Sequence, residues 1–257
     1  DEEYPELPSV NGNDKLTING DILRSMIRQT IYAVSEKDIK PAHKGSLFEI
    51  GNGNIKIISV DGYRLAIRTE QIDYNDEKSF IVPGKSLSEV TKLITDDTED
   101  VQITVGDRHI VFQIDNYSII TRLIEGEFMN YKAALPKTHS TETKVNSRQF
   151  INSIERMSLL LTEKLKSPIR CKIEDGLIKT SCNTSLGQAY DEFPADISGE
   201  DIEIGFDNKY LLDALRNSET DEVKMQLSSP LSPIVLMPSE GDSFLFLVLP
   251  VRLKNEN

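Results

Sequence analysis

The chain has 257 residues, and 29 Lys and Arg against 42 Asp and Glu leave a formal net charge of −13. Hydrophobic residues at 38% and charged residues at 28% supply ordinary cores, which excludes wholesale disorder and favours two domains over one. The longest apolar run, Phe244 to Val251, falls far short of the roughly 20 residues a membrane-spanning helix needs.

The opening segment, DEEYPELPSVNGNDK at residues 1–15, is acidic and rich in Pro, Gly and Asn, the opposite of a signal or transit peptide. It is expected to be a linker, and the product is expected in the cytosol. A chain that starts with Asp rather than Met is expected to be a fragment. Helical spacing of Ile22, Leu23, Met26, Ile27 and Thr30 predicts a helix over residues 21–34. Short alternating strands follow, SLFEIG, NIKIISV and YRLAIRTE, with Asn52-Gly53 and Asp61-Gly62 as hairpin turns. After the strand FIVP, residues 85–94 read as a second helix, and VQITV, HIVFQI and YSIITRLI as three more strands.

The order then repeats. Residues 17–27 align with 144–154 at an offset of 127, Ile81 with Ile204 at 123, and residues 99–105 with 221–227 at 122. Three landmarks in order at nearly constant offset indicate a duplicated unit of about 120 residues, a normal domain size. The join is placed near residues 126–137. Each copy is expected to be α+β, with two helices packed on antiparallel sheet and about eight strands.

Every predicted helix carries a basic pair at a spacing that shares one face: Arg24 and Arg28, Lys85 and Lys92, Arg148 and Arg156, Lys209 and Arg216. One such pair is an ordinary solvated face, but four in succession point to anion contact. No catalytic chemistry accompanies them. His43, His109 and His139 form no metal-ligand pattern, and Cys171 and Cys182 read as buried thiols. No phosphate loop, dinucleotide fingerprint or nucleophile elbow occurs. No metal, cofactor or catalytic residue is expected, and the chain reads as a binding or scaffolding protein.

The strand ISVDGYRLAIRT, the linker LIEGEFMNYKAALPK, the segment IEIGFDNKYLLDAL and the ending LVLPVRL together resemble the bacterial DNA sliding clamp, the beta subunit of DNA polymerase III. The resemblance runs from Leu16 to Leu253 and covers the second and third of the family's three domains, here residues 16–129 and 130–257, with the first missing. It implies a non-catalytic processivity factor of DNA replication. Two chains would close head to tail as a homodimer ring around duplex DNA, with helices lining the hole and contacts that are weak and sequence-independent.

The resemblance further implies a peptide-binding pocket that takes short linear motifs from the polymerase, the clamp loader and repair proteins. Its walls would be Val60, Gly62, Tyr63, Arg64, Leu65, Met129, Asp207, Tyr210, Leu231, Pro233, Leu249, Pro250, Val251, Arg252 and Leu253. The ring junction would involve Leu159 and Leu160. The sequence departs from the family pattern at Met129, Ala133, His43 and Asp207. Two other readings stay open from the residues alone: an enzyme clamping a small anionic metabolite, and a duplicated protein-interaction scaffold without a DNA role.

Overall fold

The computed structural model describes residues 14–35, 40–162 and 164–253. The expected linker through residue 13 and the terminal KNEN lie outside the described residues. The chain forms two compact units, one of residues 1–61 with 68–129 and the other of residues 62–67 with 130–257.

In the first unit, β1 (Asp14–Asn19) runs directly into α1 (Gly20–Ile31), and β2 (Gly45–Gly51), β3 (Asn54–Val60), β4 (Arg64–Gln71) and β5 (Lys78–Pro83) lead to α2 (Gly84–Leu93). Three strands follow, β6 (Asp100–Val105), β7 (His109–Ile114) and β8 (Tyr117–Arg122). One antiparallel sheet has the order β1-β6-β7-β8, and the second half of β4 with β3, β2 and β5 forms the other. The hairpin between β2 and β3 turns at Asn52 and Gly53, both at positive φ, as the Asn-Gly signal requires.

Alternation in these strands sends one row of side chains inward. Leu16 and Ile18 of β1, Val101 and Ile103 of β6 and Phe112 of β7 meet Phe48, Ile57 and Val82 of the other sheet in a single cluster. The helices close it with Leu23, Met26, Ile27, Leu87 and Val90. Each such side chain contributes about 1.5–3 kcal/mol when fully buried. Ile22, expected on the same stripe, is exposed, because it stands one residue off the row formed by Leu23, Met26, Ile27 and Thr30. The helix also stops short of the expected residue 34. The amides of Ala33 and Val34 bond three residues back, to Thr30 and Ile31, at 3.0 and 3.1 Å, which tightens and ends the last turn.

The second unit repeats the pattern with β9 (Thr141–Asn146) and α3 (Ser147–Ser158), then β10 (Ile169–Glu174), β11 (Leu177–Thr184), β12 (Gly187–Pro194), β13 (Asp196–Gly199), β14 (Ile202–Phe206) and α4 (Asn208–Arg216). The remaining strands are β15 (Glu222–Leu227), β16 (Ile234–Pro238) and β17 (Phe244–Val248). One sheet has the order β12-β11-β10-β14, and the other runs β13-β9-β15-β16-β17 with residues 64–67 next to β17. Phe150, Ile154, Met157, Leu211 and Leu215 fix the helices over buried Ile173, Ile204, Met225 and Phe246. Cys171 and Cys182 are buried and unbridged, and desolvation pushes the Cys171 thiol up to about 12.

The duplication extends to single hydrogen bonds. Asn19 caps α1 by accepting from the amide of Ile22 at 3.2 Å, and Asn146 caps α3 by accepting from Gln149 at 2.9 Å. The first helical amide bonds the carbonyl just before the partner strand in both copies: Gly20 to Glu99 and Ser147 to Asp221, each at 2.9 Å. The sheet registers agree as well, with Asn19 opposite Asp100 and Asn146 opposite Glu222. The second unit departs by one element, the four-residue β13, which covers β9 at its edge.

Candidate functional site

Most of the residues named for the pocket belong to the second unit, where three segments distant in sequence meet. The segment 62–67 supplies Tyr63 and Arg64, the start of α4 supplies Asp207 and Tyr210, and the stretch after β17 supplies Leu249 and Val251. Asp207 is the N-cap of α4 and accepts from the amides of Lys209 and Tyr210 at 2.9 and 3.4 Å, which fixes where Tyr210 stands. The Tyr210 ring stacks on Tyr63 with centroids 5.4 Å apart and planes 11° from parallel. The Arg64 guanidinium lies 5.0 Å from the same ring centroid and bonds the Asp213 carboxylate.

The stretch after β17 is held by backbone bonds. The Leu249 amide donates to the Tyr63 carbonyl at 2.9 Å and the Val251 amide to Gly205 at 2.8 Å. Gly205 is required there, since a Cβ would stand 2.6 Å from both the Val251 carbonyl oxygen and the Leu253 side chain. Tyr63, Leu231, Leu249 and Val251 are left exposed, an apolar surface suited to anchoring a linear motif. Pro233, Pro250 and Leu253 are half-buried and Arg252 is exposed.

Other named residues do not present themselves in this way. Leu65, at 2% exposure, is a core residue. Arg64, 8% exposed, acts through its ion pair and the ring above it rather than as open surface. Gly62 occupies a turn at φ +87°. Val60 is buried and Met129 half-buried in the first unit. His43 is buried there too, edge-on to Phe128 at 5.9 Å.

The basic helix residues divide by environment. Arg28, Lys85, Lys92, Arg148, Arg156, Lys209 and Arg216 are exposed. Arg24 is half-buried and bonds Asp21 at 2.8 Å and Asp96 at 2.9 Å, and the Asp96 bond leads in raising its pKa. Lys92 pairs with Glu89 at 2.7 Å, Arg216 with Glu155 at 2.6 Å, and Arg156 with Asp191 of β12. Burial alone would raise the Asp191 carboxyl, but hydrogen bonds from Arg156 and Ser153 hold it below the usual range. Exposed pairs of this kind are worth about 0–1 kcal/mol and leave their cations able to exchange partners.

Leu159 is the C-cap of α3 and 82% exposed, whereas Leu160 is half-buried. Beyond the helix end, Leu186 and Tyr190 are exposed beside and on β12, an edge strand of its sheet. Among the described residues no cluster of His, Cys, Asp and Glu could hold a metal, and no helix is long and apolar enough to cross a membrane.

Two tandem copies of two sheets under two helices, in the same order and register, define a chain built from DNA clamp folds. Family models agree along the length: DNA polymerase III beta subunit, central domain, matches residues 17–130, and the C-terminal domain of the same subunit matches residues 132–252. The chain therefore belongs to the DNA polymerase III beta subunit family, the bacterial beta sliding clamps. It is 31% identical over 254 residues to the beta sliding clamp of Staphylococcus epidermidis, covering 98% of this chain and 67% of that relative.

Solved structures agree. The DNA polymerase sliding clamp from Bacillus subtilis superposes with a TM-score of 0.94 at 29% identity over 98% of this chain and 68% of that one. The Pseudomonas aeruginosa sliding clamp bound to griselimycin gives 0.92 at 28% identity, over 98% and 69%. The chain thus spans about two thirds of the length of these relatives.

Proposed function

We propose that this chain is a DNA polymerase processivity factor, a sliding clamp that closes as a homodimer ring around duplex DNA when the family's first domain is present and tethers the replicative polymerase, clamp loader and repair proteins through short peptides. Family membership along nearly the whole chain carries this reading. Its domains are residues 16–129 and 130–257, preceded by a linker, and it works in the cytoplasm without catalysis. The DNA-facing groups are Arg24, Arg28, Lys85, Lys92, Arg148, Arg156, Lys209 and Arg216. Their carboxylate partners support a loose grip: phosphates compete with Glu89, Glu155 and Asp191 for exposed cations, so contact stays weak and salt-sensitive.

The peptide seat is the surface of Tyr63, Tyr210, Leu231, Leu249, Val251 and Leu253. Leu65 and Arg64 support it from beneath, and Gly62, Asp207, Pro233, Pro250 and Arg252 complete its frame. The ring junction uses Leu159 and Leu160 and is heterologous, joining unlike surfaces that do not pair with themselves. Exposed Leu159 at the end of α3, together with exposed Leu186 and Tyr190 beside and on the edge strand β12, supports that assignment.

The test joins the N-terminal domain of the Staphylococcus epidermidis relative, about 120 residues, to this chain. Light scattering is expected to give a monomer for the 257-residue chain at micromolar concentration and a dimer for the fusion. The dimer should be retained on nicked circular DNA and released when that circle is cut. Leu160→Asp should abolish the dimer. A stable dimer of the short chain, or a fusion indifferent to Leu160→Asp, overturns the reading.

A further inference from the structure

The segment Val251–Leu253 separates two clefts of about 420 Å³ each, both within the second unit, and their chemistry is opposite. One is lined by Glu200, Asp201 and Glu203 with Ser140, Ser228 and Ser229. The other is lined by Lys166, Arg170 and Arg252 with Ser167, Ser181 and Asn183, and no carboxylate lines it among the described residues. Arg170 and Arg252 border both clefts. On the acidic side Arg170 meets Glu203 at 2.9 Å, whereas Lys166 borders only the basic cleft.

The sheet explains this juxtaposition. Arg170 lies between Ser181 on β11 and Gly205 on β14 in register, and Gly205 in turn bridges Val251. Because Gly205 has no side chain, Leu253 settles over it, and the tail pairs with β14 at the end of the row formed by Ser181, Arg170 and Gly205. Positive charge accumulates on the side facing Lys166. Pro168, Val251 and Leu253 give that cleft apolar walls, and Ser and Asn side chains offer neutral donors around the cations.

We propose that the Lys166–Arg170–Arg252 cleft binds a carboxylate side chain of the partner segment docked on the tail, so that acidic residues flanking the apolar motif set both preference and direction. This rests on the peptide-seat reading above and adds a polar subsite to it. The acidic cleft opposite supplies the discrimination: a peptide laid in the reverse sense brings its carboxylates against Glu200, Asp201 and Glu203, which outnumber the two arginines there, one of them already paired with Glu203.

The experiment uses three fluorescein-labelled peptides built on one core of a Gln followed by three Leu and a Phe. Two carry a Glu pair, at the amino or the carboxyl end, and the third carries Gln at both ends. Anisotropy is measured on the full chain, on Lys166→Glu and on Lys164→Glu, an exposed neighbour that does not line the cleft. One of the two Glu peptides is expected to bind about threefold more tightly than the Gln peptide, the size of an exposed ion pair. Lys166→Glu should erase or invert that gain, and Lys164→Glu should leave it.

Equal binding of all three peptides overturns the proposal while leaving the seat in place. A gain that survives Lys166→Glu, or that Lys164→Glu removes equally, also overturns it. If no peptide binds, the seat itself is wrong and the subsite falls with it.

Discussion

The two units close in the same way and use that closure differently. In the first, the chain leaving β8 turns back so that the Ile124 amide bonds the Ile81 carbonyl on β5 at 2.9 Å. In the second, the chain leaving β17 turns back so that Val251 bonds Gly205 on β14 at 2.8 Å. The closing bonds pair Ile81 with Gly205, and the helix N-caps Pro83 and Asp207 share the same offset of 124, one residue more than the sequence alignment of Ile81 with Ile204, so the counterpart of Gly205 is Ile81, which is buried. A buried Ile fills this position in the first unit, whereas a Gly in the second makes room for a tail that stays partly on the surface. The backbone devices are thus common to both copies, and function arises where one copy exchanges a core side chain for space.

The largest effect expected tests the other special feature of the second unit, its use of residues 62–67. Asp213→Ala leaves the Arg64 guanidinium buried without its carboxylate, which should cost about 3 kcal/mol of stability. Urea unfolding followed by circular dichroism measures it, and a loss below about 1 kcal/mol would show that the remaining contacts of Arg64, the Tyr210 ring among them, suffice to hold the charge. Next, the helix starts separate the copies. A Cβ at Gly20 would stand 2.7 Å from the Thr98 carbonyl oxygen, while the matching position already carries Ser147. Gly20→Ala should therefore destabilise by about 1–3 kcal/mol and Ser147→Gly by about 1 kcal/mol or less. Equal costs would break the comparison.

Gly205→Ile gives the second unit the first unit's residue. The added side chain should push Val251 and Leu253 off the sheet and weaken docking of the Gln-Leu-Phe peptide about tenfold, or about 1.4 kcal/mol. Calorimetry on the variant decides, and unchanged affinity removes the tail from the seat. The smallest effect is electrostatic. Because the folded Asp191 carboxyl lies below its ordinary range, its contribution is complete above the unfolded-state pKa of about 3.9 and is lost as pH falls through the folded value. With Arg156 about half exposed, the contribution is about 0.5 kcal/mol. Asp191→Asn should lower stability by that amount at pH 7, and the difference should shrink as pH falls through the folded value; a difference that does not change with pH would make the effect steric.

Much of the fold was legible because its determinants are local. The Asn-Gly turn, the spacing of Leu23, Met26 and Ile27, and the alternation in NIKIISV and HIVFQI each act within a few residues. The first and last repeat offsets were readable because equivalent strands keep one register, whereas the middle one came out a residue short, since Gly205 offers no side chain to match Ile81. The short β13 was missed, since DISG has neither the length nor the β-branched content of a strand and is ordered by pairing with β9. The candidate site was less legible. Arg64 and Asp213 are 149 residues apart, and nothing local to DGYRL shows that its Arg is buried or that its Leu faces the core. The clamping of Arg24 by Asp96 and the basic cleft around Lys166 likewise arise from elements brought together only by the fold.

The buried thiols give the molecule a clock. Both cysteines lie in the second unit, on the adjacent strands β10 and β11, and the first unit has none. Reaction with an alkylating reagent requires the thiolate, and with the Cys171 thiol raised to about 12 that form is essentially absent near neutral pH while the strand is closed. The labelling rate of Cys171 therefore counts openings of one sheet in one of two near-identical folds. The other copy has no thiol and stays silent, so labelling reports opening of the second unit alone, without an added probe.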